Sequence, residues 1–304
     1  MEAALVLARI AQYFGAATLF GAPLFLVYAF PRALPSPAAD GRPMLAGAAG
    51  LLLVSATAYL LVQTASMAGD WAAATDPELL GGVLMDSAMG WAVCARLLAA
   101  AAALALALSA RPGHAACAWL SLLGGGALLS FAWTGHGAAS EGPGGMVHLA
   151  ADLLHLLAAG VWIGALAALA LLVRRPTASV AGLEALHGAL AGFAGPGSAA
   201  VAVIVASGLV NSWFLVGPAR LAALLTTDYG LVLTAKVVLF LLMLGLAARN
   251  RFRHTPALAR GLADGGPEAA LHRLRSSLLV EAALGFGVLA LVGVLGMMVP
   301  IASE

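Results

Sequence analysis

Long apolar runs alternate with short polar segments along the chain, and eight of these runs exceed roughly 18 residues, enough for a helix to cross a hydrocarbon layer of about 30 Å. The runs are rich in Ala and Leu and lack the alternation of apolar and polar positions seen in the strands of membrane barrels. The pattern predicts an all-α, polytopic membrane protein with about eight transmembrane helices. The predicted spans are 3–30, 43–67, 87–110, 115–136, 146–173, 187–215, 228–249 and 273–299.

Composition supports this class of protein. Hydrophobic residues make up 62% of the chain and charged residues 10%, whereas soluble domains carry about a quarter charged residues. The first span contains Arg9 and follows Glu2, so we expect it to be retained and not cleaved as a signal peptide. The net charge of +1 gives no reason to expect nucleic acid as a partner. Without a visible repeat or soluble segment, residues 1–304 are interpreted as one transmembrane domain.

The distribution of arginine predicts the orientation. Loops two and four contain no Lys or Arg, and loop six contains only Arg220. The odd-numbered loops carry Arg32, Arg42, Arg111, Arg174, Arg175, Arg249, Arg251, Arg253, Arg260, Arg273 and Arg275. Because short cytoplasmic loops are enriched in Lys and Arg, the odd loops are predicted to be cytoplasmic and both termini periplasmic.

Candidate chemistry concentrates in the fifth span. In the segment MVHLAADLLHLLAAGVWIGAL, residues 146–166, His148, Asp152 and His155 have the spacing i, i+4, i+7 and share one helix face. A charge at the bilayer centre costs roughly 2.5 to 3.5 kcal/mol, so Asp152 is expected to have a partner. It can orient a histidine for metal binding. Alternatively, Asp152 and His155 only form hydrogen bonds to neighbouring helices.

The histidines suggest a path rather than one metal cage. His148 and His155 are about 10 Å apart along a helix, too far to share an ion easily. His136 ends the fourth span, and His148 opens the fifth beside Met146. We therefore predict capture at His136 and His148, with His155 as a deeper stop. Near the cytoplasmic side, His114, His187, His254 and His272 are interpreted as solvated residues.

Methionines provide a second signal. Six of the nine methionines fall at or near outer helix ends by the predicted orientation. Thioethers favour Cu(I), and imidazole suits copper in either oxidation state, so such a rim favours copper over magnesium or calcium. The alternative is that they are flexible apolar packing residues. The rim residues are Met67, Met85, Met89, Met146, Met297 and Met298.

Polar residues in other spans are candidates for the remainder of an ion path. Arg96, Lys236 and Glu281 lie in spans three, seven and eight, and Asn211 lies in span six. We expect Arg96 to pair with Asp152 and Lys236 with Glu281, either as structural ion pairs or as parts of a path. Asn211 is equally well explained as an interhelical hydrogen-bonding residue.

Several stretches resemble the copper resistance protein D (CopD) family of bacterial inner-membrane proteins. The fifth span, from His148 to Leu166 and including Trp162 and Gly164, is the most specific of them. The resemblance covers most of the chain. The other stretches are QTASMAGD (63–70), DPELLGGVLMDSAMGWAVCAR (76–96), SGLVNSWFLVG (207–217), YGLVLTAKVVLF (229–240), AARNR (247–251) and Glu281.

The resemblance implies copper transport across the bacterial inner membrane, from periplasm to cytoplasm, and a role in copper uptake, homeostasis or resistance. The transported ion would be Cu(I) or Cu(II). A soluble periplasmic carrier of the CopC type would be a separate partner. His136, His148, His155 and Met146 are the predicted copper ligands.

Two alternatives remain from the sequence. One is a membrane protein resembling b-type cytochromes, since histidines in helix bundles also bind haem; His155, however, has no histidine at its depth on a neighbouring span. The other is a non-transporting subunit that docks a periplasmic copper carrier. An enzyme is not expected, because the chain contains no P-loop, HExxH or GxSxG motif.

Overall fold

The computed structural model describes residues 1–31, 41–109, 113–135, 142–174 and 180–303. In these ranges the chain is helical, without strands, and eight helices are long and apolar enough to cross a membrane. The prediction of an all-α protein with eight spans is confirmed. Whether the chain forms one domain stays a prediction.

Ten α-helices make up the described fold, and we number them in chain order. Helices α1, α2, α4, α5, α6, α7, α8 and α10 are the spans, whereas α3 and α9 are short connecting helices. Their bounds are α1 Glu2–Ala29, α2 Arg42–Ala68, α3 Pro77–Met85, α4 Ala88–Ser109, α5 His114–Leu129, α6 Gly142–Arg174, α7 Val180–Leu215, α8 Asp228–Arg249, α9 Thr255–Asp264 and α10 Glu268–Leu295.

The sequence pattern did not reveal several features of the connections. Helix α7 begins at Val180, before the predicted start at 187, and α8 continues through a π-helical turn, Asn250–His254, into α9. Helix α3 has a clear local cause, because the Asp76 carboxylate accepts hydrogen bonds from the backbone N–H groups of Glu78 and Leu79. Such a cap satisfies donors that a helix start leaves open.

Helix α1 occupies the centre of the bundle, in contact with α2, α5, α6 and α10. Glycine allows its close approach to α6: a Cβ atom on Gly21 would overlap the Gly160 carbonyl oxygen, and one on Gly164 would overlap Gly21. Small residues at helix crossings are the usual means of packing spans in lipid, where van der Waals contact between helices dominates. This crossing places α6 inside the bundle.

The two ends of the bundle differ in charge. We call the end where α1 begins and α10 finishes the terminal face; there Gly293 adjoins Ile10 and Gly296 adjoins Arg9. Acidic residues of the described chain concentrate at this face: Asp70, Asp76, Glu78, Asp86 and Asp228. At the opposite face lie Arg42, Arg174, Arg249, Arg251, Arg253, Arg260, Arg273 and Arg275. Which face is periplasmic stays a prediction.

Candidate functional site

Two polar stripes face each other between α6 and α7. On α6 the stripe consists of His148, Asp152 and His155, and on α7 it consists of Phe214, Asn211 and Ser207. The helices run antiparallel, so the spacing i, i+4, i+7 on one matches the same spacing on the other. Each residue of the α6 stripe thus has a side-chain partner on α7. We call the six residues the paired stripe.

His155 is oriented by a hydrogen bond to Ser207. The distance from His155 Nδ1 to Ser207 Oγ is 3.0 Å. The Ser207 hydroxyl donates to the Val203 carbonyl oxygen, so its oxygen accepts from Nδ1–H of the imidazole. The Ile204 backbone also hydrogen-bonds His155. With the proton on Nδ1, the Nε2 lone pair is the one suited to a metal ion.

Asp152 is half-buried and receives a hydrogen bond from a neutral amide. Asn211 Nδ2 lies 3.4 Å from Asp152 Oδ1, a long hydrogen bond. The Lys236 ammonium on α8 interacts electrostatically with Asp152 and with His155. The Asn211 Oδ1 atom is buried and has no hydrogen-bond partner in the described chain. This part of the paired stripe therefore combines a carboxylate, an imidazole, an ammonium and an unpaired amide oxygen.

Near the terminal face, His148 is buried and Met146 is exposed. The imidazole of His148 stacks on the Phe214 ring, with 4.8 Å between ring centroids and 7° between planes. Met146 lies half a turn earlier on α6, with 75% of its surface exposed. His136, the other predicted capture residue, lies outside the described residues.

Deeper along α6, Trp162 leads to Glu281. Trp162 Nε1 donates to Glu281 Oε1 at 3.1 Å, and Asn250 Nδ2 donates to Glu281 Oε2 at 2.8 Å. Glu281 is 2% exposed, and the Asn250 Oδ1 atom beside it is buried without a hydrogen-bond partner in the described chain. Asn250 opens the π-helical turn after α8, which aims its amide into the bundle. Turns of this kind often occur at functional sites.

Both predicted ion pairs are wrong. Arg96 does not face Asp152; it donates to Gln12, Ser130 and Thr134 on the other side of the bundle. Lys236 interacts with Asp152 and not with Glu281, whose partners are Trp162 and Asn250. Depth along a span was estimated correctly enough to bring such residues to similar levels, but the neighbouring helix depends on packing.

The rim methionines are dispersed on the surface. Met67 and Met85 are 66% and 57% exposed, Met297 is 38% exposed, and Met89 and Met298 are half-buried. Met298 lines a surface cavity of about 490 Å³ with Thr226, Thr227, Asp228, Tyr229 and Val299. Throughout the described ranges, no three His, Cys, Asp or Glu residues are grouped so that they could hold a metal ion.

Sequence reasoning missed four residues of the site. Ser207 and Phe214 flank Asn211 at spacings of four and three, so the motif SGLVNSWF contained the matching stripe on α7. Trp162 falls two turns below His155 on the same face of α6. Asn250 had no comparable signal, because only the π-helical turn directs its side chain towards Glu281.

Comparison with known proteins identifies the family. Residues 1–146 match the profile described as "Copper resistance protein D-like, N-terminal domain", and residues 187–295 match "Copper resistance protein D". The chain is 37% identical over 298 residues to copper resistance protein D of Pseudomonas syringae pv. tomato, covering 96% of this chain and 95% of that protein. The chain belongs to the copper resistance protein D family. The resemblance noted in the sequence is thereby confirmed.

Two further relatives share part of the chain. Copper transport protein CutJ of Bacillus subtilis is 32% identical over 222 residues, which are 68% of this chain and 38% of CutJ. Inner membrane protein YebZ of Escherichia coli is 28% identical over 209 residues, 68% of each chain. No solved structure matches. Together with eight apolar helices, these relatives confirm a copper-related, multi-pass inner-membrane protein.

Proposed function

We propose that this protein carries copper ions across the inner membrane, from periplasm to cytoplasm, along α6. The observation that carries the proposal is the paired stripe, which brings His148, Asp152 and His155 against α7 inside a bundle of apolar helices. Ionisable residues in spans are costly and typically mark ion pathways. The name of the relative CutJ, a copper transport protein, agrees with this function.

Capture takes place at the terminal face, which the positive-inside rule assigns to the periplasm. His148 and exposed Met146 supply an imidazole and a thioether, ligands that suit copper. His136 joins them in this proposal, and Met67, Met85, Met89, Met297 and Met298 are weak ligands along the rim. Soft, single ligands bind an ion loosely enough to release it to the next site.

His155 is the second stop, about 10 Å below His148. Its Nε2 lone pair binds the ion, while Ser207 holds the proton on Nδ1. Asp152 supplies negative charge that offsets the incoming cation. Lys236 interacts electrostatically with Asp152 while the site is empty, so a copper ion competes with the ammonium for the same carboxylate.

Glu281 receives the ion near the opposite face. From His148 to Trp162 the path along α6 covers about 21 Å at 1.5 Å per residue, and Trp162 contacts Glu281 directly. The carboxylate has neutral hydrogen-bond partners, Trp162 and Asn250, so it keeps its charge for a cation. Arg96 lies on the other side of the bundle and has no part in this path.

Copper is the cargo, as Cu(I) or Cu(II), and a CopC-type periplasmic carrier is the proposed partner at the terminal face. The acidic residues of that face suit contact with a basic surface or with a metal-loaded one. Transport contributes to copper uptake and homeostasis, and the family name places it in copper resistance.

The deciding experiment compares wild type with His155→Ala. Cells that express each protein are assayed for copper accumulation, and each purified protein is assayed for bound copper. Loss of a ligand is expected to reduce both at least about tenfold, the lower range seen when even an outer partner of a metal ligand is removed. His272→Ala, at an exposed histidine outside the path, is the matched control and should behave as wild type.

Insertion of each variant is checked by its amount in the membrane fraction. Equal copper in wild type and a normally inserted His155→Ala variant would remove His155 from the mechanism. The partner-docking function would then be the better account of the chain.

A further inference from the structure

A second polar cluster lies away from the paired stripe. Arg9 on α1 and Arg96 on α4 are 3% and 1% exposed, and Gln12 between them is fully buried. Ser130 and Thr134, which follow α5, complete the cluster. Two guanidinium groups inside an apolar bundle need compensation for their charge.

Arg96 has only neutral partners. Its Nη1 donates to Gln12 Oε1 at 2.6 Å, its Nε to Ser130 Oγ at 2.9 Å and its Nη2 to Thr134 Oγ1 at 3.2 Å. The guanidinium also lies 3.8 Å above the centre of the Phe131 ring. These contacts orient the group and satisfy three donors, but none of them carries negative charge.

Arg9 leaves donors without partners. Its Nη1 donates to the Thr134 carbonyl oxygen at 2.9 Å. Nε and Nη2 of Arg9, and Nε2 of Gln12, are buried and make no hydrogen bond of normal geometry in the described chain. The hydroxyls of Tyr13 and Tyr59 lie close to the same guanidinium and are further donors. The cluster therefore has a surplus of donors around one point.

Helix ends compensate only part of the charge. Helix α10 ends against Arg9, and the 3₁₀ turn after α5 ends at Trp133, next to the carbonyl that Arg9 contacts. Each helix C-terminus contributes about half a negative elementary charge. In the described chain no carboxylate contacts either arginine. About one positive charge therefore remains uncompensated.

We propose that this cluster binds one small monovalent inorganic anion, of the chloride class, between the Arg9 Nε and Nη2 atoms and the Gln12 amide. Glycines at positions 135 and 296 flank Nη2, so no side chain fills the space beside it. The anion neutralises the remaining charge and links α1, α4 and the end of α5. The site is built from different helices than the copper path, and the two proposals stand or fall separately.

The test measures the thermal stability of the full-length protein in neutral detergent while sodium chloride replaces sodium gluconate at constant sodium concentration. Gluconate is too large for the buried site. The unfolding temperature is expected to rise with chloride and to saturate, since a ligand at 100 times its Kd shifts the folded-to-unfolded ratio about 100-fold. Equilibrium dialysis with radioactive chloride should find about one ion per chain.

Arg9→Gln should abolish both the stabilisation and the bound chloride. Arg42→Gln is the matched control, because Arg42 is exposed at the opposite face and should leave the chloride response intact. Should Arg9→Gln fail to fold, Gln12→Leu removes one unpaired donor while keeping both arginines, and should weaken chloride binding. Equal stability in chloride and gluconate, or an unchanged response in a folded Arg9→Gln or Gln12→Leu protein, would overturn the proposal.

Discussion

At the scale of single residues, buried charges near the proposed copper path have neutral hydrogen-bond partners. Ser207 holds His155, Asn211 contacts Asp152, and Asn250 with Trp162 holds Glu281. A hydroxyl, amide or indole fixes the geometry of a ligand without cancelling its charge. An ion can then bind without first breaking a strong ion pair, which costs several kcal/mol when buried.

Ser207→Ala tests this role of a neutral partner. Removing the hydroxyl frees the His155 ring and the tautomer that presents Nε2, and we expect copper accumulation to fall about 10- to 100-fold, as for other residues that orient metal ligands. The measurement is copper uptake in cells that contain equal amounts of inserted protein.

Ser212→Ala is the control on the same helix. Its hydroxyl donates to the carbonyl four residues earlier, as that of Ser207 does, but its side chain is exposed. Uptake unchanged in both variants would show that His155 does not depend on Ser207.

At the scale of helices, close crossings decide which faces meet. Gly21 on α1 packs against Gly160 and Gly164 on α6, with no room for a side chain at the contact. This crossing fixes the rotation of α6, and the opposite side of α6 then carries the residues that contact α7. Glycines and the paired stripe are therefore two faces of one helix, each placed by the other.

Gly164→Ala should destabilise the protein by about 1–3 kcal/mol, because the added methyl group would overlap the backbone of α1. Thermal unfolding in detergent measures the effect. Gly126→Ala on α5 is the matched control, since a Cβ there meets nothing within 4 Å. A Gly164→Ala protein as stable as the control would show that the crossing is more tolerant than its geometry indicates.

At the scale of the whole molecule, charge separates the two faces of the bundle. Acidic residues concentrate on the terminal face and arginines on the opposite one. The positive-inside rule then predicts periplasmic termini, which would open the His148 end of the paired stripe to the periplasm. The direction proposed for copper depends on this orientation.

Cysteine accessibility tests the orientation. On a background with Cys94 and Cys117 replaced by alanine, Ser303→Cys marks the terminal face and Asp264→Cys the opposite face. A membrane-impermeant thiol reagent applied to spheroplasts is expected to label Ser303→Cys and to reach Asp264→Cys only after lysis. The reverse pattern would invert the protein in the membrane and with it the proposed direction of transport.

The number of spans, their approximate bounds and the stripe on α6 were predictable from the sequence. These features are local: apolar length determines whether a segment crosses lipid, and the helical repeat determines that His148, Asp152 and His155 share a face. The family could also be recognised from the stretches around those residues, as the comparisons confirm.

Which residues meet across helices was decided only by the tertiary structure. Arg96 finds Gln12 and Ser130, which are 84 and 34 residues away, and Glu281 finds Trp162, which is 119 residues away. Such pairs depend on helix rotation and neighbour choice, which follow from glycine crossings and side-chain packing over the whole bundle. Sequence thus determined the helices and their polar faces, and packing determined which polar faces were brought together.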